Sequence, residues 1–301
     1  RSAPDEIHPV NDTPFPLRVA AIDVGTNAIR FVASEFVDAR HWVDLEYLRV
    51  PVRLGHGTFL TGRLEEQAMA GAVEAMGTFR RSIDTHGVPR YRAVATSAVR
   101  ESRNGGKLVD RIRGETGIQL ETITGSEEAR LIWAAIRNRV PMTHDRWMMA
   151  DLGGGSLEIS VASSRGLHWI ESHTMGTVRL LEDLGGEARD QHDFRDLVQE
   201  YANTLRIPDR ITEDDALTGL MATGGNIETL AELADRPPDE GGVSRLPTAS
   251  LREWIERLAE MSVARRVDEL GLREDRADVI LPAAVLYERV AVLAGVDENV
   301  V

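Results

Sequence analysis

Residues 146–163 read RWMMADLGGGSLEISVAS and residues 17–36 read LRVAAIDVGTNAIRFVASEF. Each is a β-branched and apolar run, a turn opened by Asp-x-Gly, and a second apolar run that pairs back as a hairpin. Asp151 follows Asp23 at the same interval at which Gly153 follows Gly25. A second pair of segments, AVATSAVR at 93–100 and LMATGGNI at 220–227, reads as strand into turn into helix, with Thr223 following Thr96 at almost that interval. Two motif pairs at essentially one spacing imply an internal duplication of an α/β unit.

Between these signals the runs LEEQAMAGAVEAMGTFRRSI and DFRDLVQEYANTLR carry apolar residues at helical spacing, so both halves mix strands and helices. Residues 1–16 hold four prolines and no period and read as a mobile leader. The seam falls at Pro141 to Asp145, which gives units at 17–142 and 143–301. RPPDEGGVSRLP at 236–247 reads as a loop, followed by a helix whose stripe is Leu251, Trp254, Ile255, Leu258, Met261 and Val267. Ser250 with Glu253 fits a capping box at its start and Gly271 a stop at its end. ADVILPAAVLYERVAVLAG reads as a closing helix, with Pro282 either near its first turn or kinking it.

The composition narrows the classes. At 301 residues, 42% hydrophobic and 28% charged, the chain has the make-up of a globular protein with ample core. No stretch approaches the roughly 20 apolar residues of a membrane span. The absence of cysteine removes disulfides, thiolate metal sites and a cysteine nucleophile. No export signal opens the chain, so a cytoplasmic location is expected. The net charge of −14 argues against nucleic acid as a partner, but it is uneven: residues 1–142 hold 19 basic and 18 acidic groups, residues 143–301 hold 16 and 31. The most basic window, Arg80 to Arg113, reads either as an anion-attracting patch or as a solvated helix face.

An Asp at a strand end followed by glycines lets backbone N–H groups approach phosphate oxygens while the carboxylate holds a hydrated cation. Both copies have this design: Asp23, Gly25, Thr26 and Asn27 in the first, Asp151, Gly153, Gly154, Gly155 and Ser156 in the second. Glu158 on the outgoing strand is either a second carboxylate of that site or an exposed strand residue. Gly224 and Gly225 open a helix whose N-terminus favours anions. Arg100, in the matching position of the first copy, offers a planar fork to phosphate, although this chain uses arginine almost everywhere, with Lys107 its one lysine. Thr124 and Glu127 fit a capping box, which leaves Glu128 without a local partner, either to take a proton from water or to stabilise the helix dipole. His168 and His173 do not have the spacing of a metal site, and no Gly-x-Ser-x-Gly elbow occurs.

AAIDVGTNAIR, ATSAVRES, TGSEEAR, ADLGGGSLEIS, TMGTVRL and ATGGNIETLAEL, in this order across Val19 to Leu233, resemble the successive motifs of the exopolyphosphatase and guanosine pentaphosphate phosphohydrolase family in its short two-domain form. The resemblance implies two ribonuclease H-like α/β domains of the acetate and sugar kinase, heat-shock protein and actin superfold, with a cleft between them. It implies hydrolysis of a terminal phosphoanhydride by in-line attack of water with Mg²⁺. By motif position Glu128 is then the base, Asp151 and Glu158 are the metal carboxylates, and Asp23 is the acid of the first phosphate loop. Gly25, Thr26, Asn27, Gly153, Gly154, Gly155 and Ser156 cradle phosphates, with Arg100 as an additional clamp. Ala28 and Leu157 depart from the family pattern, at positions that usually carry a hydroxyl, and each departure is expected to delete a phosphate or metal contact.

The expected activity is that of an exopolyphosphatase releasing orthophosphate from inorganic polyphosphate. The rivals are a guanosine pentaphosphate phosphohydrolase, a polyphosphate or alarmone sensor without turnover, and an ATP-using enzyme of the same superfold. An intact Glu128 weighs against the sensor, and TGSEEAR against a kinase. A homodimer is expected only by analogy with relatives.

Overall fold

In the structure, a computed structural model, residues 15–137, 139–140, 142, 145–185, 189–208, 211 and 217–301 are described. Most of the expected leader and part of the expected seam, Pro141, Thr143 and His144, lie outside them. The strands are β1 (Leu17–Val24), β2 (Ile29–Phe36), β3 (Trp42–Val50), β4 (Arg90–Ala95), β5 (Leu120–Thr122), β6 (Trp147–Leu152), β7 (Leu157–Ser163), β8 (Gly166–His173), β9 (Gly219–Thr223), β10 (Arg245–Pro247) and β11 (Glu298–Val300). They form two sheets, in the orders β3-β2-β1-β4-β5 and β10-β11-β9-β6-β7-β8. Read from β8, the second sheet repeats the first, with β11 in the place of β5 and β10 added at the edge. Both are ribonuclease H-like: an antiparallel three-stranded meander whose first strand runs parallel to the strand that follows the helical crossover.

The two hairpins have the same register. Asp23 lies opposite Arg30 across β1 and β2, and Asp151 lies opposite Glu158 across β6 and β7. Alternation sends Ile22, Val24, Phe31 and Ala33 into the first core, where Phe31 stacks on Phe79 with ring centroids 5.2 Å apart. Phe79 belongs to the long helix α2 (Glu66–Thr85), which follows the short α1 (Thr58–Thr61). The second core packs one face of β6 and β7, with Leu157 fully buried in it, and a smaller cluster under the helix Gly125–Ile136 takes Met149 and Ala162 on the other face. A hydroxyl at 157 would therefore meet core, so this departure from the family pattern deletes no contact at the cleft.

The first half continues through α3 (Ser97–Glu101), α4 (Gly105–Thr116) and α5 (Gly125–Ile136), and the second through α6 (Thr177–Asp183), α7 (Gln191–Ala202) and α8 (Gly225–Leu233). The helix expected at 250–271 is two: α9 (Thr248–Ala259) and α10 (Val263–Leu270). Ser250 lies inside the first turn of α9 and caps nothing. Ser262 restarts the chain as α10 by accepting from the Arg265 N–H, and Gly271, at φ 66°, ends it. After the short α11 (Glu274–Ala277) comes α12 (Ile280–Ala294), buried almost all round, as its lack of a polar face dictates. Pro282 sits in its first turn, where the missing N–H has no intrahelical acceptor. Among the described residues no helix is long and apolar enough to cross a membrane.

Much of the basic window is neutralised on the surface: Arg80 pairs with Asp84, Lys107 and Arg111 with Glu66, Arg113 with Asp110, and Arg92 with Glu121 and Glu127. This is the solvated-face reading rather than an anion patch.

Two sets of contacts join the halves. In the first, Thr26 Oγ1 lies 3.0 Å from Ser97 Oγ, and both press against the second glycine loop. A Cβ on Gly154 would lie 2.9 Å from Thr26 Cβ, and one on Gly155 would collide with Ser97. Arg179 of α6 lies over the Phe59 ring and donates to Gly155 O at 2.9 Å and to Glu101 at 2.5 Å. In the second, Asn27 Nδ2 donates to Asp275 O at 2.6 Å, Arg49 pairs with Asp275, and Arg53 pairs with Asp278 at 2.5 Å. Gly176, before α6, packs so closely on Gly154 and Gly155 that a methyl group would collide with their backbone. Gly176→Ala is expected to destabilise by about 1–3 kcal/mol, which thermal denaturation would register, and an unchanged midpoint would contradict the packing described.

Candidate active site

A narrow cleft of about 110 Å³ lies between the two joints and is walled by both hairpin turns. It forms because β1 and β6 each end at the cleft, a location where open α/β sheets place their ligands. Of the residues expected from sequence, Asp23, Gly25, Thr26, Asn27, Glu128, Asp151, Gly153, Gly154, Ser156, Gly224 and Gly225 line it.

Glu158 adds its carboxylate from below. One oxygen each from Glu128, Asp151 and Glu158 lies within 4.8 Å of the others. The exposed-strand reading of Glu158 therefore falls, since its residue surface is 2% accessible. Ser172 Oγ donates to Glu158 Oε1 at 2.7 Å, and Thr223 Oγ1 to Asp151 Oδ1 at 2.7 Å. Glu128 is placed by the start of α5, where Thr124 accepts the Glu127 N–H at 3.2 Å. The Glu127 carboxylate turns outward to Arg92 and Arg130, which completes only half of the expected capping box and leaves Glu128 facing inward.

Three carboxylates so close and so poorly hydrated hold their protons tightly. Burial, then Glu158, Asp151 and Asp23, push Glu128 up to about 9. Burial, with Glu158 and Asp23 adding to it, pushes Asp151 up to about 7 against the opposing Thr223 hydrogen bond, and burial also raises Glu158. Glu128 Oε2 and Glu158 Oε2 are buried without a hydrogen-bond partner among the described residues. A hard divalent cation answers both the repulsion and the unpartnered oxygens, so the donor set fits Mg²⁺.

The opposite end of the cleft is cationic, through Arg30, Arg49 and Arg276. Asp23 is neutralised there by Arg30 at 3.0 Å; burial raises its pKa and Arg30 lowers it. The sequence reading missed all three arginines. Arg30 had a signal, because it precedes Glu158 by the interval that separates Asp23 from Asp151: at the equivalent place in the duplicated hairpin the first copy carries a cation and the second a carboxylate.

Some expected phosphate contacts have other occupations. Gly155 is buried against Ser97 and Phe59 and does not line the cleft; a glycine is needed there for the close approach of the halves. The Asn27 amide donates across the cleft to Asp275 O. Arg100 stands behind Glu128, with Nη1 donating to Ile123 O at 3.0 Å and 3.8 Å from Glu128 Oε2. Ala28 does line the cleft, so its missing hydroxyl is a real difference in the wall.

Residues 36–294 match the Ppx/GppA phosphatase family. The chain is 30% identical over 304 residues to exopolyphosphatase 2 of Mycobacterium tuberculosis, covering 93% of each. It is 25% identical over 277 residues to exopolyphosphatase 1 of Mycobacterium bovis, covering 90% of this chain and 80% of the relative. The crystal structure of an exopolyphosphatase from Cytophaga hutchinsonii superposes with a TM-score of 0.86 at 28% identity, covering 94% and 93% of the two chains.

Proposed function

The chain belongs to the Ppx/GppA phosphatase family, and on that premise we propose that it is a cytoplasmic exopolyphosphatase that hydrolyses the terminal phosphoanhydride of inorganic polyphosphate and releases orthophosphate. The observation that carries the reading is the division of the cleft: three clustered carboxylates at one end, arginines at the other, and duplicated glycine turns between them. A phosphoryl group needs a cation-backed end to be attacked and a cationic wall to hold the rest of the polyanion.

In this reading Mg²⁺, held by Asp151 and Glu158, supplies neutralisation of the charge that builds on the phosphoryl oxygens. Glu128, inward-facing and with one oxygen that has no hydrogen-bond partner among the described residues, accepts the proton of the attacking water. The Gly25 and Gly153 N–H groups close their own turns on Ala28 O and Ser156 O, and the backbone N–H groups of Thr26, Asn27, Gly154 and Ser156, on the cleft wall, orient the terminal phosphoryl group for in-line attack. The packing of Thr26 against Gly154 and the Asn27 bond to Asp275 O hold the first turn against the second half, which positions the reactants without reorganisation during the step.

Phosphate release in the presence of Mg²⁺ from long-chain polyphosphate, guanosine pentaphosphate and ATP tests the assignment. Polyphosphate is expected to be hydrolysed fastest. Release chiefly from guanosine pentaphosphate would replace this reading with that of the alarmone hydrolase, and binding without release from any of the three would make the chain a sensor.

A further inference from the structure

The arginine end of the cleft opens into a pocket of about 400 Å³ on which Arg30, Arg49, Arg273 and Arg276 converge. Glu228 and Glu232 also line this pocket. Arg49 and Arg276 are nearly buried, with side-chain exposure of 11% for the first and residue exposure of 8% for the second. Arg276 donates to a neutral acceptor, Asn226 Oδ1, and lies so close over the α8 start that a Cβ on Gly225 would be 2.5 Å from its Nη2. Burial, with Arg49, Arg273 and Arg30 beside it, lowers its pKa to about 10. Such a group of cations calls for an anion.

The chain supplies one of its own. Asp275 meets Arg49 through Oδ2 and Arg273 through Oδ1 at 3.5 Å, and its Oδ2 lies 3.5 Å from Asn27 Nδ2. One carboxylate, buried behind the walls, thus holds two arginines of the pocket and the amide of the first phosphate turn. Resting on the phosphate reading of the cleft, we propose that Asp275 is a built-in competitor. Its carboxylate holds the arginines that a phosphoryl group further along the chain would use, and polyphosphate must displace it to engage Arg49 and Arg273.

The consequence depends on length. A single orthophosphate bound at the carboxylates leaves Asp275 in place, whereas a chain that reaches Arg49 and Arg273 must exchange that carboxylate for an internal phosphoryl unit of the same single charge. Asp275 is thereby a specificity-determining residue that weakens the hold on chains long enough to displace it and leaves the hold on orthophosphate unchanged.

The test is calorimetric titration of the intact protein with inorganic tripolyphosphate in EDTA, for the wild type, Asp275→Asn, Asp275→Ala, Arg49→Gln and the Arg49→Gln, Asp275→Asn double variant, with melting temperatures alongside. Both Asp275 variants are expected to bind about tenfold more tightly than the wild type, and the double variant no more tightly than the wild type. Unchanged or weaker binding in the Asp275 variants, with or without a lowered melting temperature, would overturn the proposal and leave the Arg49 pair as a joint between the halves. Because the titration needs no turnover, tighter binding without phosphate release would sink the proposed function alone. Release from polyphosphate without tighter binding would sink this inference alone.

Discussion

Glu128→Gln is expected to slow phosphate release from polyphosphate by about two to four orders of magnitude, with the change in kcat rather than KM. Gln keeps the shape of the side chain and its place at the start of α5, which Thr124 sets, but cannot take a proton. The position is suited to a base because one oxygen has no hydrogen-bond partner among the described residues and is paired only loosely with Arg100, at 3.8 Å. Without a cation the carboxyl stays protonated well into the alkaline range, since burial and the negative charges of Glu158 and Asp151 oppose ionisation. A divalent cation between Asp151 and Glu158 would remove that repulsion and leave the carboxylate ionised and able to accept a proton. Mg²⁺ affinity separates this role from that of a metal ligand. It should fall far more in Asp151→Asn than in Glu128→Gln. Equal losses of affinity in the two variants, or a rate loss below about tenfold for Glu128→Gln, would remove Glu128 from the role of base.

The hairpins were legible in the sequence because each strand, turn and return strand is contiguous, and the interval from Asp23 to Asp151 carries over to their partners across the pair, Arg30 and Glu158. The carboxylate end of the site was readable for the same reason. The arginine end was not. Arg49 comes from β3 and Arg276 from a helix of four residues, neither bearing a local pattern, and a chain with a single lysine gives its arginines no contrast. The strands β5, β10 and β11 are three residues each, too short for alternation to show. The break between α9 and α10 was hidden because Leu251 to Val267 remain apolar at helical spacing across it. Glycine was the most ambiguous symbol. Gly153 faces the cleft while Gly155 and Gly176 allow backbone to meet side chain and backbone, and the letter is the same for both duties.

In EDTA the protein is expected to lose stability as pH rises from about 5 to about 9, and Mg²⁺ to restore more of it the higher the pH. The folded-state pKa values of Asp151, about 7, and Glu128, about 9, lie above their ordinary values of 3.8 and 4.5, and that of Glu158 is also raised. Over the intervening range the folded chain therefore holds protons that the unfolded chain has released. Each such proton lowers the unfolding free energy by about 1.4 kcal/mol per pH unit. Asp151's contribution to the loss is complete near pH 7 and Glu128's near pH 9. The exposed pairs that depress Asp38 and Glu127 to about 2 act with the opposite sign, and their stability is already fully present by pH 5. In the window itself Asp23, also raised by burial, adds to the fall, and His173, lowered by burial, opposes it below the ordinary histidine value of 6.5, which leaves the range from about 7 to 9 to the buried carboxylates. A cation bound between the carboxylates takes the place of the protons, so the melting temperature with Mg²⁺ should be nearly level across the range in which the EDTA curve falls. Glu128→Gln removes one charge from the trio and should flatten the EDTA curve between pH 7 and 9. A melting temperature in EDTA that is constant from pH 5 to 9, or a gain from Mg²⁺ that is the same at both ends, would mean that Asp151 and Glu158 do not form a metal-binding site beside Glu128.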